Sequence, residues 1–286
     1  MSNNEQMKNL ALLTIIISVL NVDLFAQVSR HFNKEKKPKY ELGAGLINLN
    51  IPNYPGASAN TPRYVPFPWF IYRGDFLRSD EEGTRAKFID SEAFELGLSG
   101  GFNFAIKSEE NEARRGMDDK DALVGIGPNI LIRILKKNPL HRLTFGVGLR
   151  VNYATRALSF KNEGWVIEPK LRYWRKFSKE GKLTFFSGIT ASFGDQKYNA
   201  FFYDVDEEYV NADRAAYRSR EGLVDITGSM GIGYDFSKKA SVFAGTFYSN
   251  LSLAANKDSF LVEEEHNSGL IVGFAWLFYE SNELVK

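Results

Sequence analysis

The sequence contains no cysteine among its 286 residues, and it has only three histidines. The absence of cysteine excludes a disulfide scaffold, a thiolate metal site and a cysteine nucleophile. An excess of charge of one sign is also missing. The formal net charge is +1, which gives no bias toward polyanions, so the sequence predicts no nucleic-acid partner.

Long hydrophobic runs are missing too, apart from one near the N-terminus. Residues 10–20 read LALLTIIISVL. A transmembrane helix needs about 20 apolar residues, so this shorter run predicts the core of a signal peptide that ends at Ala26. Met1 and Met7 are alternative starts. Because no later run could span as a helix, a membrane-embedded form of this chain has to be a closed β-barrel.

What the sequence does contain is strict alternation of apolar and polar residues. Segments 94–106, 143–153, 165–175 and 270–278 place large apolar side chains on one face and Gly, Ser, Asn or charged residues on the other. Strands of soluble proteins usually have about five or six residues. These segments have the length that a tilted strand needs to cross a bilayer, about nine to eleven residues or more. The pattern predicts transmembrane strands with lipid on one side and a wet lumen on the other.

The connections between predicted strands alternate from residue 93 onward between short turns and long loops, as in outer-membrane barrels. Further strands are predicted at 39–49 and 64–73, and weaker ones at 75–80 and 84–90. The total is twelve strands. Ten is the alternative, if the weak hairpin at 75–90 is not part of the wall.

The predicted fold class is all-β, a closed antiparallel transmembrane barrel that is exported to the outer membrane of a Gram-negative cell. The predicted organisation is a signal peptide at 1–26, a basic periplasmic tail at 27–38, the barrel at 39–278 and a C-terminal extension at 279–286.

The segment at 43–80 contains, in this order, Tyr54, Pro55, Gly56, Pro66, Pro68, Tyr72 and Arg78. With these residues it is similar to the start of the MipA/OmpV family, the MltA-interacting proteins of the outer membrane. Segments 201–222 and 259–278 resemble later parts of the family, the first through Phe202, Tyr203 and Val205 and more loosely, because Asp204 stands where Gly is expected. The resemblance implies a barrel that in some members is a scaffold for murein-remodelling enzymes and in others acts in adhesion.

Charged residues on the polar faces are the candidate lumen residues. Two interpretations are open: a charged constriction in a pore, or a mutually neutralised network that fills a narrow lumen. His31, His141 and His266 fall on separate parts of the predicted topology, so they predict neither a metal site nor a catalytic centre. No cofactor is expected. The candidate lumen charges are Glu95, Arg133, Arg142, Arg150, Glu168, Lys170, Arg172 and Asp225.

Three surface features complete the predictions. Lysines at two short turns predict either a docking surface for an acidic periplasmic partner or simply soluble turns; they are Lys136, Lys137, Lys238 and Lys239. The Tyr54-Pro55-Gly56 segment is either a recognition loop or a turn. The long loops 107–120, 195–220 and 255–266 are expected to be extracellular and mobile, with tryptic cleavage around Arg114 or Arg115 and around Arg214 or Arg218.

The functional prediction is a non-catalytic outer-membrane barrel in contact with lipid and lipopolysaccharide. It would anchor a periplasmic murein hydrolase or synthase, or another envelope protein. The alternatives are a narrow channel for small solutes or ions and a surface adhesin. The sequence leaves open the identity of a partner or solute, the oligomeric state and whether the lumen is open.

Overall fold

The computed structural model describes residues 37–73, 77–80, 83–91, 93–135, 140–156, 159–177 and 182–285. The predicted signal peptide and the tail up to residue 36 lie outside the described residues. One α-helix, α1, spans Gln196–Tyr203. The described strands, β1 to β14, are Lys37–Pro38, Tyr40–Pro52, Asn60–Arg73, Leu77–Asp80, Gly83–Asp90, Phe94–Asn103, Ala122–Arg133, His141–Arg156, Ser159–Lys176, Leu183–Gly194, Gly222–Asp235, Ala240–Asn250, His266–Glu280 and Leu284–Val285.

Strands β2 to β13 form a ring of twelve antiparallel strands in the described part of the chain. Each strand pairs with its neighbours in sequence, and β13 pairs with β2, which closes the sheet into a barrel. The predicted all-β barrel with twelve strands is therefore observed. The ten-strand alternative is wrong, because the hairpin predicted as weak forms β4 and β5 and is hydrogen-bonded into the wall.

The alternating pattern sorts the side chains to two faces of the wall. In β13, Leu270, Val272, Phe274, Trp276 and Phe278 are exposed on the outside, whereas the residues between them are buried inside. Successive side chains of a strand point to opposite faces, so one apolar set faces outward along each strand. Within the described ranges, no helix is long and apolar enough to cross a membrane.

The wall does not have the same height all round the ring. β3 pairs with β2 over its residues 60–72, but it pairs with β4 only at Tyr72 and Arg73. β6 pairs with β7 up to Asn103, but with β5 only up to Ser99. Within the described residues, the ladders that join the β4–β5 hairpin to the wall are thus shorter than the ladders on the other sides of β3 and β6.

The two ends of the barrel differ in their connections. One end, called the turn end, carries the turns that join β5 to β6 and β11 to β12, together with β1 and β14. The other, called the loop end, carries the connections 104–121, 195–221 and 251–265, and the shorter connection 53–59. These strand bounds bear out the predicted alternation of short turns and long loops except between β8 and β9, where β8 ends at Arg156 and β9 already begins at Ser159, so this connection at the loop end is short.

The terminal strands lie outside the ring, at the turn end. β1 pairs with β14, which brings the end of the predicted tail onto the C-terminal extension. Lys39 Nζ lies 2.8 Å from Glu283 Oε1 across this pair. The predicted barrel bounds 39–278 are slightly wrong: the wall runs from Tyr40 to Glu280, and the extension folds back rather than trailing away.

Candidate functional site: the barrel interior

The loop end is filled by a buried apolar cluster, which we call the loop plug. Phe202 of α1 is its centre: its ring lies 5.3 Å from the ring of Tyr198 and 5.0 Å from that of Phe201, both edge-on. Such edge-to-face contacts are favourable in addition to the burial of apolar area. The buried side chains of the plug are Tyr54, Ala57, Ile106, Ala113, Met117, Leu123, Ala154, Val166, Tyr198, Phe201, Phe202, Tyr203, Val205, Val224 and Leu261.

Helix α1 is placed in the plug by its N-cap. Asp195 Oδ1 accepts hydrogen bonds from the backbone N–H of Tyr198, at 2.8 Å, and of Trp165 in β9, at 3.1 Å. An N-cap carboxylate satisfies a helix N–H that has no partner within the helix. The same oxygen therefore caps the helix and connects it to β9 of the wall.

Two buried arginines join the long loops to one another. Arg114 Nη1 donates to Phe202 O at 3.3 Å, and Arg214 Nη1 donates to Ala113 O at 2.8 Å. Burial lowers the pKa of Arg114 from its usual value, and the nearby Tyr54 opposes that shift. Of the predicted tryptic sites, Arg114 and Arg214 have buried side chains, whereas their alternatives Arg115 and Arg218 are exposed, so cleavage around these two positions stays a prediction.

A pair of asparagine contacts also fastens the loops. Asn256 Oδ1 accepts from the backbone N–H of Arg220 and its Nδ2 donates to Arg220 O, both at 2.8 Å. Ser259 Oγ donates to Tyr203 O at 2.8 Å. Buried polar groups with these partners cost little to bury. These contacts join the long loops to one another, while their predicted mobility stays a prediction.

The Tyr54-Pro55-Gly56 segment is a turn inside this assembly. Ala57 N–H donates to Tyr54 O at 3.0 Å, and Gly56 has a φ of 90°. Tyr54 is 3% exposed, and burial is the largest cause that raises the pKa of its hydroxyl. Gly56 N–H donates to Asn267 Oδ1 at 2.6 Å. Of the two interpretations, the turn is the one observed, and its aromatic ring belongs to the plug rather than to an exposed surface.

The candidate lumen charges divide into two sets. On the wall formed by β6 to β9, Glu95 pairs with Arg133 at 2.6 Å, and Glu168 lies 2.6 Å from Arg150 and 3.6 Å from Lys170. Arg142 and Arg172 alternate with outward residues on β8 and β9, on the same inner face. Asp225 stands apart, on β11. Opposite charges in contact fit the network interpretation better than a constriction of one sign.

The opposite side of the lumen is apolar. Phe243, Ile271 and Leu277 are buried there with Ile47 and Leu49. Inward glycines make room for rings: a Cβ at Gly273 would collide with the ring of Phe243, and one at Gly231 with the ring of Phe186. Some of the Gly and Phe residues of the sequence are thus matched across neighbouring strands.

A cavity of about 330 Å³ remains between the loop plug and this apolar side. Its lining is mostly apolar, with Leu49, Phe247 and Ile271 among the contributors. Asp225 reaches it from β11: its Oδ2 accepts from Thr227 Oγ1 at 3.2 Å, while its Oδ1 is buried with no hydrogen-bond partner among the described residues. A buried acceptor without a donor is costly.

The turn end contains a buried ion pair instead of an apolar cluster. Arg73 Nη1 lies 2.5 Å from Glu41 Oε1, and both side chains are almost completely buried. Arg73 Nη1 also donates to Pro38 O at 2.7 Å. The docking candidates Lys238 and Lys239 are exposed at the β11–β12 turn. Lys136 and Lys137 lie outside the described residues.

Two of the three histidines, His141 and His266, lie within the described residues, and they are at opposite ends of the barrel, as predicted. His141 Nδ1 lies 2.7 Å from Tyr173 Oη on the turn side, and His266 Nδ1 lies 2.9 Å from Tyr248 Oη at the loop end. His31 lies outside the described residues. Across those residues, no group of three or more His, Asp or Glu side chains is arranged to hold a metal ion.

Sequence reasoning missed the plug, which is the most extensive feature of the interior. A signal was present: 198–205 reads YNAFFYDV, an aromatic cluster inside an acidic stretch. Exposed loops rarely need such a density of large apolar side chains. Among the residues that carry the resemblance at 43–80, Tyr54 is a plug residue, and in the segment 201–222 Phe202, Tyr203 and Val205 belong to the plug as well.

The sequence profile of one protein family, described as MltA-interacting protein MipA, matches residues 42–278. Among the curated proteins compared, none matches the chain. Solved structures with a similar fold include the CymD monoaromatic hydrocarbon channel, at 12% identity over 85% of this chain and 89% of that chain, with a TM-score of 0.37. The Pseudomonas putida toluene transporter TodX has 9% identity over 90% and 93%, with a TM-score of 0.38. At such identities and TM-scores these likenesses carry no argument about function.

Proposed function

The chain belongs to the MltA-interacting protein MipA family, and from this premise we propose that it is a barrel embedded in the Gram-negative outer membrane and exported by the signal peptide at 1–26. The outer face supports this proposal. Large apolar side chains on it are about half exposed, for example Phe274 at 45% and Trp276 at 54%. A contiguous apolar surface of that kind on a barrel fits lipid rather than water.

Fractionation tests the placement. The mature protein should begin at Gln27 by mass spectrometry, sediment with the outer membrane, and run at a heat-dependent position on a gel after detergent extraction. Recovery as a water-soluble periplasmic protein would end the membrane proposal.

Within that placement, the proposed role is a non-catalytic anchor that holds a murein-remodelling or other envelope enzyme at the turn end. The observation that carries it is the loop plug. The plug fills one end with packed rings, and the Glu41–Arg73 pair lies buried at the other. A barrel whose loop end is packed with its own side chains serves better as a fixed support than as a water-filled pore.

The partner surface is proposed to include Lys238 and Lys239, with Lys136 and Lys137 at another turn of the sequence. Exposed lysines at the end that faces the periplasm attract an acidic protein surface or the carboxylates of murein. The family description, MltA-interacting protein, supports an enzyme of murein metabolism as the partner.

Crosslinking in whole envelopes tests the anchor role. Lys238→Glu/Lys239→Glu should lose most of the captured partner, because rim charges steer association. Lys197→Glu/Lys257→Glu is the matched control, since both lysines are exposed at the loop end. Equal capture by wild type and by the turn-end variant would remove these lysines from the proposal. Absence of any envelope enzyme from the wild-type capture would remove the anchor role.

A further inference from the structure

The outward faces of β8, β9 and β10 carry almost no charge. Over residues 141–151, 165–176 and 183–193, the side chains that alternate with the lumen set are apolar or uncharged at all but two positions. The two exceptions are His141 and Arg175, and they are register partners on neighbouring strands. Residues that are paired in this way lie side by side on one face of a sheet. The outward groups of this sector that can carry a positive charge therefore form a pair, at the turn end of the wall.

Aromatic neighbours hold the two side chains at this end. His141 Nδ1 lies 2.7 Å from Tyr173 Oη, so Nε2 is the ring nitrogen that remains for another partner. The guanidinium carbon of Arg175 lies 5.1 Å from the centre of the Phe177 ring, and Phe177 is 53% exposed. Aromatic side chains of membrane barrels concentrate at the level of the lipid headgroups. The pair thus has the surroundings of an interfacial site.

Arg175 is exposed, and its charge is not balanced by a carboxylate among the described residues. Arginines on the lumen side of the same wall differ: Arg150 Nη2, for example, lies 2.6 Å from Glu168 Oε2. The cation–π contact with Phe177 holds the guanidinium but does not neutralise it. A permanent positive charge beside an apolar wall is stabilised by an anion at the same level.

The same outward face becomes apolar toward the middle of the barrel. Phe145 lies two outward positions beyond His141 on β8, and its register partner on β9 is Leu171. Phe145 is 37% exposed and Leu171 is 38% exposed, so both present hydrocarbon on the outside. A molecule that places an anionic group beside Arg175 therefore finds an apolar surface directly beyond it. An anionic head with long alkyl chains fits both parts.

We propose that His141 and Arg175 bind the phosphate group of an anionic phospholipid, whose acyl chains lie along Phe145 and Leu171. One phosphate oxygen accepts from the guanidinium, whose planar N–H groups match phosphate geometry. Another accepts from His141 Nε2, which carries a proton when Nδ1 accepts from the Tyr173 hydroxyl. Without a carboxylate, the site disfavours a headgroup that carries an ammonium, so phosphatidylglycerol is preferred to phosphatidylcholine. The periplasmic leaflet as the source of the lipid rests on the membrane placement proposed above, whereas the site itself does not.

Native mass spectrometry of the purified full-length protein in detergent tests the site, with dioleoyl phosphatidylglycerol as the probe. The wild type should retain the lipid, and Arg175→Gln should retain at least about fivefold less, because the charged hydrogen-bond donors are lost. His141→Phe keeps a ring without a donor and should lower retention by a smaller factor. Arg156→Gln is the matched control, since Arg156 is exposed at the loop end of the same two strands. Retention equal to that of the wild type in either site variant would overturn the assignment.

Competition on the wild-type protein tests the chemistry of the ligand. Dioleoyl phosphatidylcholine should displace little of the bound phosphatidylglycerol, and inorganic phosphate should displace none, because it has no chains to contact Phe145 and Leu171. Displacement by phosphatidylcholine as strong as by phosphatidylglycerol would contradict the preference for an anionic headgroup. Displacement by inorganic phosphate would overturn the lipid as the source of the phosphate group. Both measurements are made in detergent, so their outcome is separate from that of the fractionation that tests the membrane placement.

Discussion

The two ends of this barrel are stabilised by different kinds of interaction. At the loop end, residues from four connections contribute aromatic and aliphatic side chains to one cluster, and buried arginines bind carbonyl groups across it. At the turn end, the buried Glu41–Arg73 ion pair lies next to the two short terminal strands, and Arg73 donates to Pro38 O of β1. Apolar packing is spread over many residues, whereas the ion pair depends on one partner.

This difference predicts how each end responds to a substitution. Truncation of one plug side chain should loosen the plug, which is distant from β1 and β14. Substitution of Arg73 should release β1 and β14 and leave the plug intact. Substitutions at the two ends are far apart in the structure and should add independently.

Phe202→Ala is expected to have the largest effect. The ring is 2% exposed and contacts three aromatic neighbours. Truncation of a buried Phe typically costs about 3–5 kcal/mol, so the free energy of unfolding in detergent should fall by about 4 kcal/mol. Phe160→Ala is the matched control, because Phe160 is 57% exposed on the outer surface. If the two variants unfold alike in urea, the plug is not a packed cluster.

Arg73→Met should cost somewhat less, about 3 kcal/mol, because it leaves the buried carboxylate of Glu41 without its ion-pair partner. Proteolysis should then reach residues near β1 and β14 while the loop end stays protected. The double variant Glu41→Gln/Arg73→Met should recover part of the loss, since no unpaired charge is left. A double variant weaker than Arg73→Met would show that the charge of Glu41 is not the source of the cost.

Gly56→Ala separates backbone strain from packing at the loop end. A non-glycine residue at the positive φ of Gly56 costs about 1–2 kcal/mol, and the new Cβ would also lie 3.1 Å from Val262 Cγ1. Gly116→Ala has a similar φ of 79° with nothing within 4 Å, so it should lose only the backbone part. We expect the Gly56 variant to be the less stable of the two in urea unfolding; the opposite order would mean that the Tyr54 turn is loosely held.

The smallest predicted effect concerns acid. The Ser108 N–H, at 2.8 Å, and Lys107, at 3.0 Å, hold the pKa of Asp119 below its usual value of 3.8. A carboxyl with a lowered folded pKa contributes stability above its unfolded pKa and loses it as pH falls through the folded value. Hydrogen exchange at Ser108 should therefore accelerate as the pH falls below about 4, after correction for intrinsic rates. In Asp119→Asn this acid step should be absent; an unchanged step would assign it to another group.

The strands of the wall were predictable from the sequence because the alternation of apolar and polar residues is a local property of each segment. Alternation with period two is visible in every long strand, and β13 keeps it from His266 to Phe278 without interruption. The strand β4 was weakly signalled for a physical reason: it forms only four register pairs with β5, too few for a pattern to show.

The plug was not predictable in the same way, because it is formed by contacts between residues that are far apart in the sequence. Arg114 and Phe202 are 88 positions apart in sequence, and nothing in either loop alone shows that they meet. Charged composition in loops suggests solvent exposure, yet Arg114 and Arg214 are buried because carbonyl groups of other loops satisfy them. The cavity beside Asp225 was not predictable either, because residues from six strands and α1 line it together.

The packed loop end is tested most directly by electrical recording of the purified full-length protein in planar lipid bilayers. We expect insertion without stable single-channel steps, because the loop plug occupies the loop end of the lumen. Reproducible steps from the wild-type protein, with a size that Arg150→Ala or Lys170→Ala changes, would contradict the account and identify the barrel as a channel.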